Sequence, residues 1–450
     1  NNNGQLLVRL PIIYDKIIKI LLKLAPPVML AQLIQALYNL IDSYFVGSYS
    51  ESGLTALSII YPLQLLMIAL AVGTGVGINT LMSHFLGVGD NEKSDETAGV
   101  GTPLACAIWI IFAAICWFIM PFYAQISTDT KLIADEVVVY GRIVCVCSFG
   151  IFFESVWTKI LQAVGNMKVP MIAQIAGALV NIVFDPIMIF GLGFIQKMGI
   201  AGAAIATVIG QSTAAVIVMF KGFKKPPKFS KFGKYIKRIY LLGFPNILMQ
   251  MAYTFYIFGL NLILKTFSDQ AVTVLGLYYK WQSVIFIPLG AMQTCIVPVI
   301  SFNFAAGLFG RCRKTLKDSV LLGMALMLIG VLSFELIPTQ LLMTFSKDAD
   351  VISIGTVAFR IIGISFIPLV TSLIYPVYFQ AIGSAFKSSM LTILRTVVLL
   401  VPLGFIFSKI GLDWFWLTFS CTEIITTIVG FILYKKENKK ISLKFTERTR

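Results

Sequence analysis

Apolar stretches of helix length recur along the whole chain, each interrupted by charges or by clusters of Gly, Pro and Asp. A hydrocarbon core about 30 Å thick takes roughly 20 residues of α-helix. Twelve stretches meet that requirement: 20–44, 55–84, 99–120, 134–157, 169–191, 200–220, 238–264, 271–302, 318–337, 351–378, 388–408 and 413–434. The longest imply tilt or bending. The pattern therefore predicts an all-α integral membrane protein with twelve transmembrane helices.

The loop charges test this count independently. With the N-terminus in the cytoplasm and the spans alternating, Lys and Arg crowd one side, while the other holds only Lys131, Lys197, Lys265, Lys347 and Lys409. That asymmetry predicts both termini inside. Composition agrees. Of 450 residues, 58% are hydrophobic and 13% charged, where a soluble domain carries about 25% charged residues, so a soluble enzyme is excluded. The net charge of +15 invites a nucleic-acid partner, but much of it sits in 221–238 and 435–450. Those runs are placed beside anionic headgroups, so membrane lipids are the expected partner and nucleic acid is not. One histidine, seven scattered cysteines without a CxxC, and the absence of a Walker loop or GxGxxG give no sign of a metal, a cofactor or catalysis.

The chain also echoes itself at an offset of 218 residues. Pro27 matches Pro245, Gln32 matches Gln250 and Tyr38 matches Tyr256; Ser83/Ser301, Gly89/Gly307, Arg142/Arg360, Gln162/Gln380 and Gly165/Gly383 keep the same offset. Shared Pro, Gln, Arg and Gly at one spacing are not compositional accidents. The expected organisation is a first six-helix lobe over 1–220, a basic linker at 221–237, a second six-helix lobe over 238–434 and a basic tail at 435–450. Six spans restore the starting orientation, so the repeat is parallel, an architecture that serves alternating access.

Polar groups inside the spans carry the candidate chemistry. Gln32, Gln35, Asn39 and Asp42 recur at helical spacing in the first span, and lipid offers them no partners. In the fifth span Asn181 and Asp185 share a face and Pro186 follows at once. The proline frees a carbonyl one turn back, which adds an acceptor beside the acid. Tyr140 and Thr207 are positioned to complete a hydrogen-bonded network. Two carboxylates in one poorly hydrated pocket cannot both ionise cheaply, so Asp42 with Asp185 can read a proton gradient; sodium suits the same oxygens. Glu154, near Trp157 and Lys159, reads as interfacial anchoring. The repeat-related Arg142 and Arg360 suggest structural pairing, and Lys280 and Arg395 are expected to find carboxylate or carbonyl partners across a cavity. Gly73, Gly75, Gly77, Pro288, Pro298, Pro368 and Pro376 supply bends and close contacts.

The segment Asn39-Leu40-Ile41-Asp42-Ser43-Tyr44-Phe45-Val46-Gly47, with Pro27 and the repeated Gln162-Ala163-Val164-Gly165-Asn166 and Gln380-Ala381-Ile382-Gly383-Ser384, resembles the multidrug and toxic compound extrusion (MATE) family, in its bacterial multidrug-exporter branch. The resemblance covers about residues 15–435. It implies two lobes around a cavity and antiport of cationic amphiphiles against H+ or Na+ in a bacterial cell membrane, by a monomer without cofactors. It places the ion-coupling network on Asp42, Tyr140, Asn181, Asp185 and Thr207. A second-lobe coupling acid found in another branch has no counterpart here, since 245–264 contains no acid.

For the substrate cavity the residues singled out are Gln35, Asn39, Phe153, Met249, Tyr256, Tyr278, Lys280 and Trp281, aromatic and thioether groups suited to hydrophobic cations. The alternative reading is a lipid-linked saccharide flippase, for which Lys280, Arg360 and Arg395 would supply a cationic cavity, or another twelve-helix secondary transporter.

Overall fold

The computed structural model describes residues 16–193 and 195–448; the first fifteen residues and the end of the basic tail lie outside the described residues. Seventeen α-helices follow one another in it without a strand. Those of the first half are α1 (Ile17–Tyr49), α2 (Glu51–Gly87), α3 (Asn91–Ser127), α4 (Lys131–Val146), α5 (Phe149–Ala163), α6 (Lys168–Pro186) and α7 (Ile200–Gly222). The second half holds α8 (Phe232–Lys265), α9 (Asp269–Ile285), α10 (Ile287–Ala305), α11 (Phe309–Leu336), α12 (Pro338–Met343), α13 (Ala349–Ile364), α14 (Phe366–Ala381), α15 (Ala385–Ile393), α16 (Val401–Ser408) and α17 (Leu412–Arg448).

Among the described residues eleven helical stretches are long and apolar enough to cross a bilayer, and α13 with α14, bent by 52°, make a twelfth. The chain is thus an all-α multi-pass membrane protein. The expected span 271–302 is broken at Phe286 into α9 and α10, and 351–378 is broken at Ser365. Each break lies just before a proline, Pro288 and Pro368, whose missing N–H removes the bond to the carbonyl four residues back. Pro298 and Pro376, by contrast, stay inside continuous helices.

The chain divides into two compact units. One takes the described residues up to Gln250 together with Ser301–Leu308; the other takes Met251–Ile300 and the chain from Phe309 onward. Two of the three divisions fall inside helices, α8 and α10; the third lies between Leu308 and Phe309, just before α11. In the first unit α6 packs between α1 and α7, while α5 packs on α2 and α7. The glycines of α2 explain why the beginning of α8 belongs here. A Cβ on Gly77 would strike the Ile239 carbonyl and one on Gly243 would strike that of Gly73, so the two helices touch backbone to backbone.

The repeated motifs fold as helix ends. Gly165 and Gly383 adopt φ of 78° and 83°, a left-handed conformation that costs glycine nothing. This lets the Asn166 N–H reach the Leu161 carbonyl at 2.9 Å and the Ser384 N–H reach that of Phe379 at 2.8 Å, closing α5 and α14 in the same way. The basic linker is tied to the start of α3: Lys224 pairs with Asp95 at 3.4 Å, Lys231 pairs with Glu96, and the Tyr235 hydroxyl donates to Glu96 at 2.5 Å.

Candidate functional site

In the first unit, α1 and α6 bring Asp42 and Asp185 together. Their side chains are 8% and 0% exposed, and the two carboxyl groups lie close enough to interact directly. The Oδ1 atom of each is buried without a partner, leaving acceptor capacity in the pocket.

Asn181 lies one turn before Asp185. With its amide oriented to satisfy both ends, its nitrogen donates to Asp185 Oδ2 and its oxygen accepts from the Thr207 N–H, each at 3.2 Å. The Thr207 hydroxyl donates to the Ala203 carbonyl at 3.1 Å, so Thr207 serves the site through its backbone. Close helix approach makes this bridge possible. A Cβ on Gly177 would meet the Gly210 carbonyl, and one on Gly210 would meet that of Gly177. Immediately after Pro186 the helix widens into a π turn, Ile187–Gly191, a local rearrangement that frequently accompanies function.

Tyr140 of α4 is buried and within electrostatic reach of Gln64, Asp42 and Asp185. Tyr38 is within reach of Asp42, Asp185 and Glu154 at once. Neither Tyr38 nor Gln64 was singled out by sequence, although Tyr38 stands one turn before Asp42 and shares its face. Gln35 continues that face and is half-buried, whereas Asn39 is exposed and falls off it. Glu154 is no interfacial anchor. It is buried, and its Oε1 accepts from Thr158 Oγ1 at 2.7 Å and Gln174 Nε2 at 2.8 Å.

The remaining expected residues scatter. Phe153 is half-buried with its ring 5.2 Å from that of Trp157, and Met249 is half-buried on α8. Tyr278 packs its ring against Phe334, Phe366 and Phe419 in the second unit. Tyr256 is buried beside Tyr253 and Tyr279, and the Trp281 indole donates to the Leu341 carbonyl at 3.0 Å. Lys280 is exposed, its ammonium 4.9 Å from the Phe345 ring centroid rather than beside a carboxylate. Arg395 does find an acid, Glu423, with Nη2 to Oε1 at 2.6 Å. Arg142 and Arg360 do not share a duty: the first stacks on Trp117 at 4.4 Å and the second is exposed. Among the described residues no group of His, Cys, Asp and Glu could hold a metal ion.

Comparison with known proteins gives three findings. The family model described as MatE matches residues 27–187 and again 245–406, two halves whose starts are separated by the repeat offset. The multidrug export protein MepA of Staphylococcus aureus is 23% identical over 415 residues, covering 88% of this chain and 90% of that protein. MepA of Staphylococcus haemolyticus is 22% identical over 441 residues, covering 94% and 95%. Among solved structures, an outward-facing MATE transporter of the MOP superfamily superimposes with a TM-score of 0.89 at 23% identity, covering 96% of this chain and 98% of that one. A MOP-superfamily transporter from Pyrococcus furiosus does so with 0.89 at 24% identity, covering 96% and 98%.

Proposed function

Because this chain belongs to the multidrug and toxic compound extrusion (MatE) family of secondary transporters, we propose that it exports organic cations and drug-like amphiphiles in exchange for H+ or Na+, with Asp42 and Asp185 as the coupling pair. The observation that carries this reading is the buried juxtaposition of those two acids on neighbouring helices.

Protonation from the outside neutralises the pair and relaxes the contact between α1 and α6. That relaxation lowers affinity for the cation, which leaves. The transporter then exposes its other side, the pair releases its proton to the more alkaline compartment, and a new cation binds. Exchange of this kind needs only that each ion bind one state better than the other. Asn181 fixes Asp185 within the pair, while Tyr38 and Tyr140 supply hydroxyls along its edge. Phe153 and Met249 offer the aromatic and thioether surfaces on which a hydrophobic cation rests. We place the protein in a bacterial cell membrane with both termini cytoplasmic, acting as a monomer without a cofactor.

The flippase alternative loses support, because Arg395 is neutralised by Glu423 and Lys280 rests on Phe345. Reconstitution of the purified full chain with separate H+ and Na+ gradients and one fluorescent organic cation tests the proposal. Exchange should collapse in D42N and in D185N, and normal gradient-driven exchange in both would end it. Saturable binding of an anionic lipid pyrophosphate in place of the dye would favour the flippase.

A further inference from the structure

The second unit contains a polar cluster built from the same repeat positions as the first. Tyr38 corresponds to Tyr256 and Gln64 to Gln282 at the offset of 218. In the first unit Gln64 lies beside Tyr140, and Tyr38 lies within reach of the carboxyl pair. In the second, Tyr256 lies within electrostatic reach of Gln282 and Arg395, the guanidinium carbon 5.9 Å from its ring centroid, and Arg395 is paired with a buried acid on α17. The difference between the clusters is therefore one of charge: an acid pair in one, an acid closed by a guanidinium in the other.

The closure is complete. Glu423 is 1% exposed and Arg395 9%. Oε1 of Glu423 accepts from Arg395 Nε at 3.0 Å and from Nη2 at 2.6 Å; Oε2 accepts from Nε at 3.1 Å and from the Ser372 hydroxyl. Both residues stand about 15 Å along their helical stretches from the nearer end, which is half the length needed to cross a hydrocarbon core about 30 Å thick. A carboxylate at that depth has to hold a cation or a proton, and here the guanidinium is the cation. Around the pair the titratable groups include Tyr256, Tyr278 and Tyr279. Unpartnered buried oxygens stand on the same elements, namely Gln282 Oε1, Tyr279 Oη, Thr418 Oγ1, Thr422 Oγ1 and Thr426 Oγ1. They are ligands of the kind a small cation uses.

We propose that Arg395 is a tethered counter-cation that fills the carboxylate site of the second unit and so confines ion coupling to the first. Arg395 is a specificity-determining residue in this sense: it sets how many ions accompany each substrate without touching either. Its position within a π-helical segment, Leu394–Leu400, turns its side chain out of regular helical register toward α17.

The inference rests on the reading of the first unit given above, and the two are tested separately. The full chain is reconstituted, and the number of H+ or Na+ moved per organic cation is obtained from the gradient at which net flux reverses. Arg395→Met uncovers Glu423, and the count should rise by one. An unchanged count in folded, monodisperse R395M overturns the proposal. The charge-neutral double substitution R395M/E423Q leaves no buried lone charge and serves if the single variant fails to fold. It should keep the wild-type count, and a lower count would show that Glu423 already couples an ion, which also overturns the proposal. D42N measured alongside reports only on the first unit: loss of coupling there supports that reading, whereas intact coupling in D42N with a gain in R395M would sink the first reading and leave this one standing.

Discussion

The side-chain amide of Asn181 bridges two helices, donating to Asp185 Oδ2 and accepting from the backbone N–H of Thr207, each at 3.2 Å. Asn181→Leu removes both bonds and strands a buried carboxyl oxygen, a change of about 1–3 kcal/mol. Gradient-driven exchange should slow by roughly tenfold, at about 1.4 kcal/mol per factor of ten. Thr207→Val keeps the N–H that Asn181 uses and should leave the exchange rate near wild type. Equal losses in the two variants would show that the Thr207 hydroxyl, and not its backbone, is the working group.

Gly177 and Gly210 set the distance across which that bridge forms. Gly177→Ala drives a methyl group into the Gly210 carbonyl and should destabilise the unit by about 1–3 kcal/mol. Gly233→Ala, on a helical glycine with open space around it, should instead be neutral or stabilising by about 0.5–1 kcal/mol. Thermal melting of both in detergent distinguishes crowding at one position from a general sensitivity to lost glycines.

Glu154 satisfies two donors, Thr158 Oγ1 and Gln174 Nε2. Glu154→Ala leaves the Gln174 amide without that acceptor and should cost about 1–3 kcal/mol, visible as a lower melting temperature. Glu154→Gln retains a carbonyl acceptor and should melt closer to wild type. If both melt alike, the buried acid is not holding α5 to α6.

Asp90 closes the turn before α3. Its Oδ1 accepts the Lys93 N–H at 3.0 Å and its Oδ2 the Lys93 ammonium at 2.6 Å, contacts that hold its carboxyl below the usual carboxylate range. A depressed folded-state value means the cap is fully effective above the ordinary carboxylate pKa and fades as pH falls through the lowered one. Asp90→Ala should therefore speed amide exchange at Lys93 at neutral pH and make little difference in strong acid.

Much of the architecture was legible because lipid imposes it. Spans had to be apolar for about 20 residues, and prolines marked where they bend. What pattern could not supply was the exact place of each break, since Pro288 and Pro368 interrupt their helices while Pro298 and Pro376 do not. Asp42, Asn181 and Asp185 stood out because polar groups in apolar helices are conspicuous. Tyr38 did not, because a tyrosine in a membrane helix is ordinary until its neighbours are known. The pairing of Arg395 with Glu423 was equally hidden: the partners come from different helices 28 residues apart, and no local periodicity links them. Glu154 was misread for the same reason, its proximity to Trp157 and Lys159 suggesting an interface while Gln174 from the next helix takes it inside.

The chain passes from one unit to the other within α8, within α10 and between Leu308 and Phe309, not through the basic linker, which is fastened by Asp95 and Glu96. Each of those helices carries a proline close to the crossing, Pro245 ahead of Gln250 and Pro298 ahead of Ile300. A helix lacking one rung of its ladder flexes more readily there than elsewhere. The polypeptide thus sets two of its three crossings in stiff rods, each beside a compliant joint fixed in the covalent chain.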